Sequence, residues 1–533
     1  MKNLFLAAAL CAAGMAAAGA QDGPPPEKMW VGEFNVDGKA TAIVLHDRSI
    51  TKDVPSVIDV PAMGARDMPF TTYEMTPTGA KFAVQGGPDL YTFDGVTTKA
   101  GMAGKMTQGA KVGEFKLVPI LANDATLNRS LSGSYQVAPG HVIDMGMMSE
   151  LGGQIVFLDQ KTLREGALYP LTASHFVSGP TLGIPYPFAI NIEFVKDAQG
   201  GVSGLRWSEN GRVVNAKKIA PHRVEDVTVV NGDVTLKGTL LVPLSKGPHP
   251  AIVFAHGSGA ARRDVAMWNT FFVRQGIAVL SLDKRGAGES SGDWRKASLD
   301  DIAGDWLAGV AMLKQRSDID AKRIGVHGSS QGGWTAPMMA VRSKDIAYVI
   351  VRAGSASTVA DTMAFEIAWS VREAGLSEAD AQEAEAESRK LFKLAGAPWS
   401  DFKAAATALQ AKRWAKSAWV LGMSEHGWGR PWSALNAPYD PASTLAKVKV
   451  PVLWFLGDLD HNVPSAASAR LLAAAKAASG NKHFTVVRIP NAGHAFLEST
   501  TGNNSEFVHK TSMAAGYWDK MEGWLGQHGF SRR

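Results

Sequence analysis

The chain divides by the period of its apolar positions. From about residue 28 to 220, short runs alternate apolar and polar residues: "KATAIVLHD", "AKFAVQGG", "GQIVFLD", "INIEFV". Gly, Pro, Asp and Asn separate them. A period of two places one face of each run in a core and the other in water, so this region is read as all-β. Two stretches resemble each other. "MWVGEFNVDGKATAIVLHD" has a counterpart in "LSGSYQVAPGHVIDMGMMSE", and each half opens on Gly-x-aromatic and ends on a strand near 119 or 219. The expectation is two similar β-meander units or one sheet built from two, with chance similarity between β segments as the competing explanation.

The texture changes at about residue 222. "VTVVNGDVTLKGTLLVP" reads as a hairpin with an Asn-Gly turn. Compact apolar runs then alternate with helix-length segments: "PAIVFAH", "IAVLSLD", "RIGVHG", "AYVIVRAG", "VPVLWFLGD", "FTVVRIP". Strands apolar on both faces and joined by helices predict an α/β domain over 222–530 with a mostly parallel central sheet. One crossover, roughly ninety residues long, is Ala/Glu/Lys/Leu-rich and holds Trp369, Trp399, Trp414, Trp419, Trp428 and Trp432. It predicts a helical lid at about 358–440, in which most of the tryptophans pack helix on helix and one or two line an apolar pocket.

At 533 residues, 45% hydrophobic and 20% charged, the chain is globular and long enough for two or more domains. A net charge of +5 without a Lys/Arg block argues against a nucleic-acid partner. Residues 1–20, "MKNLFLAAALCAAGMAAAGA", read as a signal peptide cleaved after Ala20, which predicts a periplasmic or secreted protein with no membrane span in its mature form. The alternative is a membrane anchor, for which the stretch is short and Ala-rich. The single cysteine, Cys11, lies within it, so disulfides, thiol nucleophiles and zinc-thiolate sites are excluded from the mature chain.

The chemistry centres on "RIGVHGSSQGGW". Gly328-Ser329-Ser330-Gln331-Gly332 is a G-x-S-x-G, centred on Ser330 because His327, not glycine, stands two residues before Ser329. Where a strand turns sharply into a helix, bulky side chains two residues either side would clash, and the serine is presented outward as a nucleophile. A serine hydroxyl needs a base, and the base needs a carboxylate. His494 in "IPNAGHAF" is the base candidate. Asp458 and Asp460 in "GDLDHNVP" compete for the acid; Asp460 is chosen because the following Val-Pro restarts a helix, which leaves Asp458 as a turn residue. His461 is read as structural. In "FAHGSGAARRD", the backbone N–H of Ser258 is the first choice of oxyanion donor, with the N–H of Gln331 as its partner. Gly257 and Gly259 allow close approach, and His256 shapes the loop.

The order "HGSG…RRD", "DKRGAGES", "GSSQGG", "GDLDHNVP", "AGHAF" resembles the α/β-hydrolase superfamily, and within it the bacterial esterases and S9-type (prolyl-oligopeptidase-like) hydrolases. The resemblance covers about 225–530. It implies a cofactor-free serine hydrolase working through an acyl-enzyme, with Asp283–Ser290 as scaffold and Arg262, Arg263 and Asp264 shaping the pocket mouth. The β-rich region is too short for a seven-bladed propeller, which departs from true prolyl oligopeptidases.

The resulting expectation is an exported carboxylic-ester hydrolase acting on a small-molecule ester or amide. The alternative is a peptidase or amidase on small peptides, with Glu366 and Glu373 of the lid as candidates for holding a substrate ammonium. A third reading makes 28–220 a binding or docking module. No metal motif, phosphate loop or heptad repeat is present, and neither the substrate nor the oligomeric state follows from the sequence.

Overall fold

The computed structural model describes residues 27–531 apart from 52, 152, 221 and 428. The expected signal peptide, with Cys11, lies outside the described residues, as does Trp428. The described residues form two compact units: 27–219 with Ser505–Ser512, and 220–504 with 513–531.

The first unit holds two antiparallel meanders. Eight strands from Lys28–Val36 to Lys111–Ile120 pair in sequence order, and the first pairs with the last from Met29↔Ile120 to Asn35↔Glu114, closing a barrel. Phe34, Phe82, Phe93 and Phe115 fill its interior, with Phe82 and Phe93 stacked at 4.6 Å and Phe115 edge-on to Phe93 at 5.3 Å. Aromatic pairs in these geometries add about 0.5–1.5 kcal/mol each beyond their buried area.

The second meander, Gly133–Ala138 to Arg212–Ile219, has nine strands. Its first strand also pairs with its last, at Ser134↔Ile219, Tyr135↔Lys218 and Gln136↔Lys217. The two ends of its strand order are Glu165–Ala167 and Tyr169–Pro170, which pair with different neighbours and are joined in the chain by Leu168. Phe34 and Tyr135, the aromatics of the two similar sequence stretches, both lie on the first strand of a meander, where it pairs with the last.

Ser505–Ser512, far along the chain, completes this unit. The carbonyl of Thr511 accepts from the Glu165 N–H at 2.8 Å, that of Lys510 from Leu182 at 2.8 Å, and that of Val508 from the Thr181 hydroxyl at 2.6 Å.

The second unit is built on an eight-stranded sheet in the order His222–Asn231, Val234–Pro243, Ala278–Leu282, His249–Ala255, Ile319–Ser329, Tyr348–Arg352, Val452–Gly457, Phe484–Ile489. Helices at 267–274, 299–314, 332–342 and 465–479 lie in its crossovers, and one at 517–527 follows the last strand. The last six strands of that order are parallel to one another, while Val234–Pro243 runs antiparallel to both its neighbours. The sheet is therefore mixed: six parallel strands, as the apolar runs predicted, extended at one edge by the antiparallel hairpin. A two-residue connection cannot make the crossover that parallel pairing requires, so the first two strands must be antiparallel. The turn is also displaced by one residue from Asn-Gly. Asn231 pairs with Val234, so Gly232-Asp233 is the loop, with Gly232 at φ +59°.

Between Tyr348–Arg352 and Val452–Gly457 lie helices Val359–Glu373, Glu378–Leu394, Trp399–Leu409, Gly429–Asn436 and Ala442–Leu445. Trp414 is fully buried and donates its indole N–H to Glu383 at 2.9 Å, Trp399 stacks on Phe402, and Trp419 packs on Phe392. These three hold the inserted helices together. Trp369 differs: its ring stacks on His461 at 3.5 Å, beside the Asp460 turn.

Candidate active site

The strand Ile319–Ser329 ends in a sharp corner and the helix Gly332–Arg342 begins three residues later. Ser330 sits at the corner with φ +53°, a left-handed conformation costly for a side-chain-bearing residue. The corner forms because its neighbours lack side chains. A Cβ on Gly328 would stand 2.3 Å from the Gly332 carbonyl oxygen, and one on Gly332 would stand 2.1 Å from that of Ala255. The Ser330 N–H is anchored on the Arg352 carbonyl at 3.0 Å. Ser329 is engaged differently: its hydroxyl accepts from the Arg352 guanidinium at 2.6 Å, and that guanidinium covers the face of Trp268.

Two parallel strands further along the sheet bring the partners. His494, on the loop after Phe484–Ile489, places Nε2 3.1 Å from the Ser330 hydroxyl oxygen. Its Nδ1 lies 2.9 and 3.1 Å from the two carboxylate oxygens of Asp460, on the loop after Val452–Gly457. The Asp460 carboxylate also accepts the N–H groups of Asn462 and Val463, both at 2.9 Å, and its side chain is completely buried. These fixed donors hold it aimed at the imidazole. Asp458 faces elsewhere, taking the Arg488 guanidinium at 2.7 Å.

The loop after His249–Ala255 passes against the corner: a Cβ on Gly257 would lie 3.4 Å from that of Ser330. Among the described residues, no intramolecular acceptor takes the N–H of Ser258 or of Gln331. His256 is buried, edge-on to Trp306, with Nε2 2.7 Å from the Leu282 carbonyl. Burial pulls its pKa down to about 4, so it is neutral.

One sequence expectation is corrected. Arg263 does not shape a pocket mouth. It is buried and braces the turn, donating to Asp283 at 2.7 Å and to Glu289 at 2.5 Å. Within "DKRGAGES", Asp283, Arg285 and Ser290 act as scaffold, but Lys284 is buried beneath the catalytic loops, its Nζ 2.5 Å from the Gly257 carbonyl and 2.8 Å from the Gln331 side-chain carbonyl. Nothing in the motif marks it, because lysine in a Gly-rich turn is ordinarily solvated. Glu366, the lid carboxylate considered for an ammonium, accepts from the Asn462 amide at 3.2 Å. No group of three or more His, Cys, Asp or Glu able to hold a metal occurs among the described residues, and no helix among them is long and apolar enough to cross a membrane.

Residues 231–495 match the family model described as X-Pro dipeptidyl-peptidase (S15 family). The quorum-quenching protein AidA of Acinetobacter baumannii is 30% identical over 161 residues, which is 30% of this chain and 52% of that protein. Esterase EstD of Thermotoga maritima is 30% identical over 166 residues, covering 29% and 39%. The chain thus spans about half or less of these relatives. A Pyrococcus furiosus esterase structure aligns with 57% of this chain and 91% of its own at 17% identity and a TM-score of 0.38. The sequence match falls on the same residues whose strand order carries the serine corner and the two loops beyond it, and together with the esterase relative it supports an α/β-hydrolase serine hydrolase.

Proposed function

We propose that this protein is an exported carboxylic-ester hydrolase that works through an acyl-enzyme. The observation that carries the reading is His494 standing between a buried carboxylate and the Ser330 hydroxyl, each within hydrogen-bond distance. Ser330 Oγ attacks the ester carbonyl carbon while His494 Nε2 takes its proton. Asp460 holds Nδ1–H and stabilises the imidazolium. The N–H groups of Ser258 and Gln331 receive the developing oxyanion. His494 returns the proton to the alcohol as it leaves. Water attacks the acyl-enzyme by the same route, releasing the acid and freeing Ser330. The lid helices 359–445 cover the substrate and set the acyl size.

The match to an X-Pro dipeptidyl-peptidase model supports a second reading, hydrolysis of the amide bond after proline in small peptides. Such a substrate needs an anchor for its free ammonium, and Glu366, which accepts one bond from Asn462, keeps the charge and lone pairs to be one. The ester reading is preferred for its likeness to EstD, an esterase by name.

Turnover of p-nitrophenyl esters of graded acyl length, beside Ala-Pro-p-nitroanilide, separates the two. Ester turnover at least 100-fold above anilide turnover is expected; the reverse order overturns the ester assignment and leaves the serine mechanism standing. Export is checked by N-terminal sequencing of the protein from the periplasm or medium, with Gln21 expected first.

A further inference from the structure

Lys284 is 1% exposed, yet its side chain reaches between two loops that the chain supplies separately. Nζ donates to the Gly257 carbonyl at 2.5 Å and to the Gln331 side-chain carbonyl at 2.8 Å. The carbonyl of Gly257 and the N–H of Ser258 belong to one peptide group. In a trans peptide these two point in opposite directions across a rigid plane. A donor that fixes the carbonyl on one side therefore fixes where the N–H points on the other. Gln331, the second residue Lys284 holds, carries the other proposed oxyanion N–H.

We propose that Lys284 is a positioning residue for the oxyanion hole, locking the Gly257–Ser258 peptide with its N–H toward the reacting carbonyl oxygen and tying it to Gln331. The inference rests on the Ser330 mechanism proposed above.

The lock has two physical effects. It prevents the peptide from rotating its N–H out of the site, a rotation that the glycine at 257 would otherwise permit. It also polarises the peptide group, because a donor on the carbonyl strengthens the N–H as a donor in turn. Burial drives the Lys284 pKa down to about 7. The arrangement does not depend on which form is present, since a neutral amine retains two protons and Nζ has two acceptors. Asp283, next in sequence, does not compete for it: that carboxylate accepts from Arg263 and from the Glu289 N–H. Only the transition state carries full charge on the carbonyl oxygen, so the lock acts on kcat more than on KM.

The experiment compares Lys284→Met, Lys284→Gln and Ser330→Ala in the full chain with p-nitrophenyl butyrate as substrate. It adds inhibition by an alkyl trifluoromethyl ketone, which forms a tetrahedral adduct on serine. Lys284→Met is expected to lose about 10- to 100-fold in kcat, somewhat less than deletion of a whole oxyanion donor, with KM changed less than about threefold. Ketone affinity should fall in step with kcat/KM. Lys284→Gln, which retains one amide donor, should keep more activity than Lys284→Met, and it serves alone if the methionine variant does not fold. A folded Lys284 variant with kcat within about threefold of the parent, or a loss confined to KM, overturns the inference while an inactive Ser330→Ala leaves the mechanism intact. An active Ser330→Ala overturns both.

Discussion

Two histidines, one in each unit, make closely similar contacts and arrive at opposite chemistry. In the barrel, His46 has Nδ1 2.9 Å from a Glu27 oxygen and Nε2 3.4 Å from an Asp59 oxygen. In the hydrolase unit, His494 has Nδ1 2.9 Å from an Asp460 oxygen and Nε2 3.1 Å from the Ser330 hydroxyl. Burial alone would pull the His46 pKa down, but the bonds and charges of Asp59 and Glu27 outweigh it and raise the pKa to about 9. A ring held between two carboxylates keeps both protons and has no lone pair to offer. Replace one carboxylate by a hydroxyl, and that nitrogen faces a proton it can take. The identity of the second neighbour separates a structural cation from the general base proposed for His494.

The topologies explain where each neighbour comes from. In a meander, strands meet those beside them in sequence, and His46 finds its partners 19 and 13 residues away. In the crossover sheet, Ser330 and His494 meet across 164 residues because parallel strands bring successive loops to one edge.

The largest way to test the contrast is Ser330→Ala, expected to lower kcat on p-nitrophenyl butyrate by about 10⁴-fold or more with the fold unchanged by circular dichroism. Next is Asp460→Asn, which leaves the loop in place but removes the charge that fixes the His494 proton on Nδ1. A loss of about 10³- to 10⁴-fold in kcat is expected, and a loss under about tenfold would remove Asp460 from its role.

The barrel histidine gives the third test, read as stability. Its folded pKa lies above the unfolded value near 6.5, so its contribution is fully present below that pH and is lost as pH rises through about 9. Urea midpoints taken from pH 6 to 10 should fall across this window, and His46→Gln should flatten that part of the slope while leaving esterase kcat unchanged. The smallest effect belongs to Asp458→Asn. This carboxylate pairs with Arg488 at a partly exposed site, where such pairs contribute about 0–1 kcal/mol, and kcat should stay within about twofold. If Asp458→Asn were as damaging as Asp460→Asn, the division of labour between the two aspartates would be wrong.

Some of this was legible in the sequence because backbone sterics dictate residue type. The glycines flanking Ser330 touch backbone oxygens, so only glycine fits, and the pentapeptide records that fact. The glycine count also set Ser329 aside, and the structure occupies it with Arg352. Asp460 could be separated from Asp458 by the Val-Pro after it, which follows the turn whose N–H groups cap the carboxylate. Lys284 was not legible, since its partners lie 27 and 47 residues away and only the fold removes it from water. Barrel closure was hidden for a similar reason: alternation looks the same in an open sheet, and the pairing of Lys28–Val36 with Lys111–Ile120 is not local. The place of 505–512 among the β strands was likewise invisible, because what the segment contributes is mostly backbone carbonyls.

That last segment governs how this protein can be divided. A fragment ending at residue 219 would leave the Glu165 and Leu182 N–H groups without the carbonyls of Thr511 and Lys510. A fragment beginning at 222 would carry 505–512 without its partners at Glu165, Thr181 and Leu182. Neither unit is a cassette that can be excised, swapped or fused by cutting the chain once. In a recombination experiment the two should be inherited together, and crossovers near residue 220 that exchange only one side should yield chimeras that fail unless 505–512 travels with the β unit.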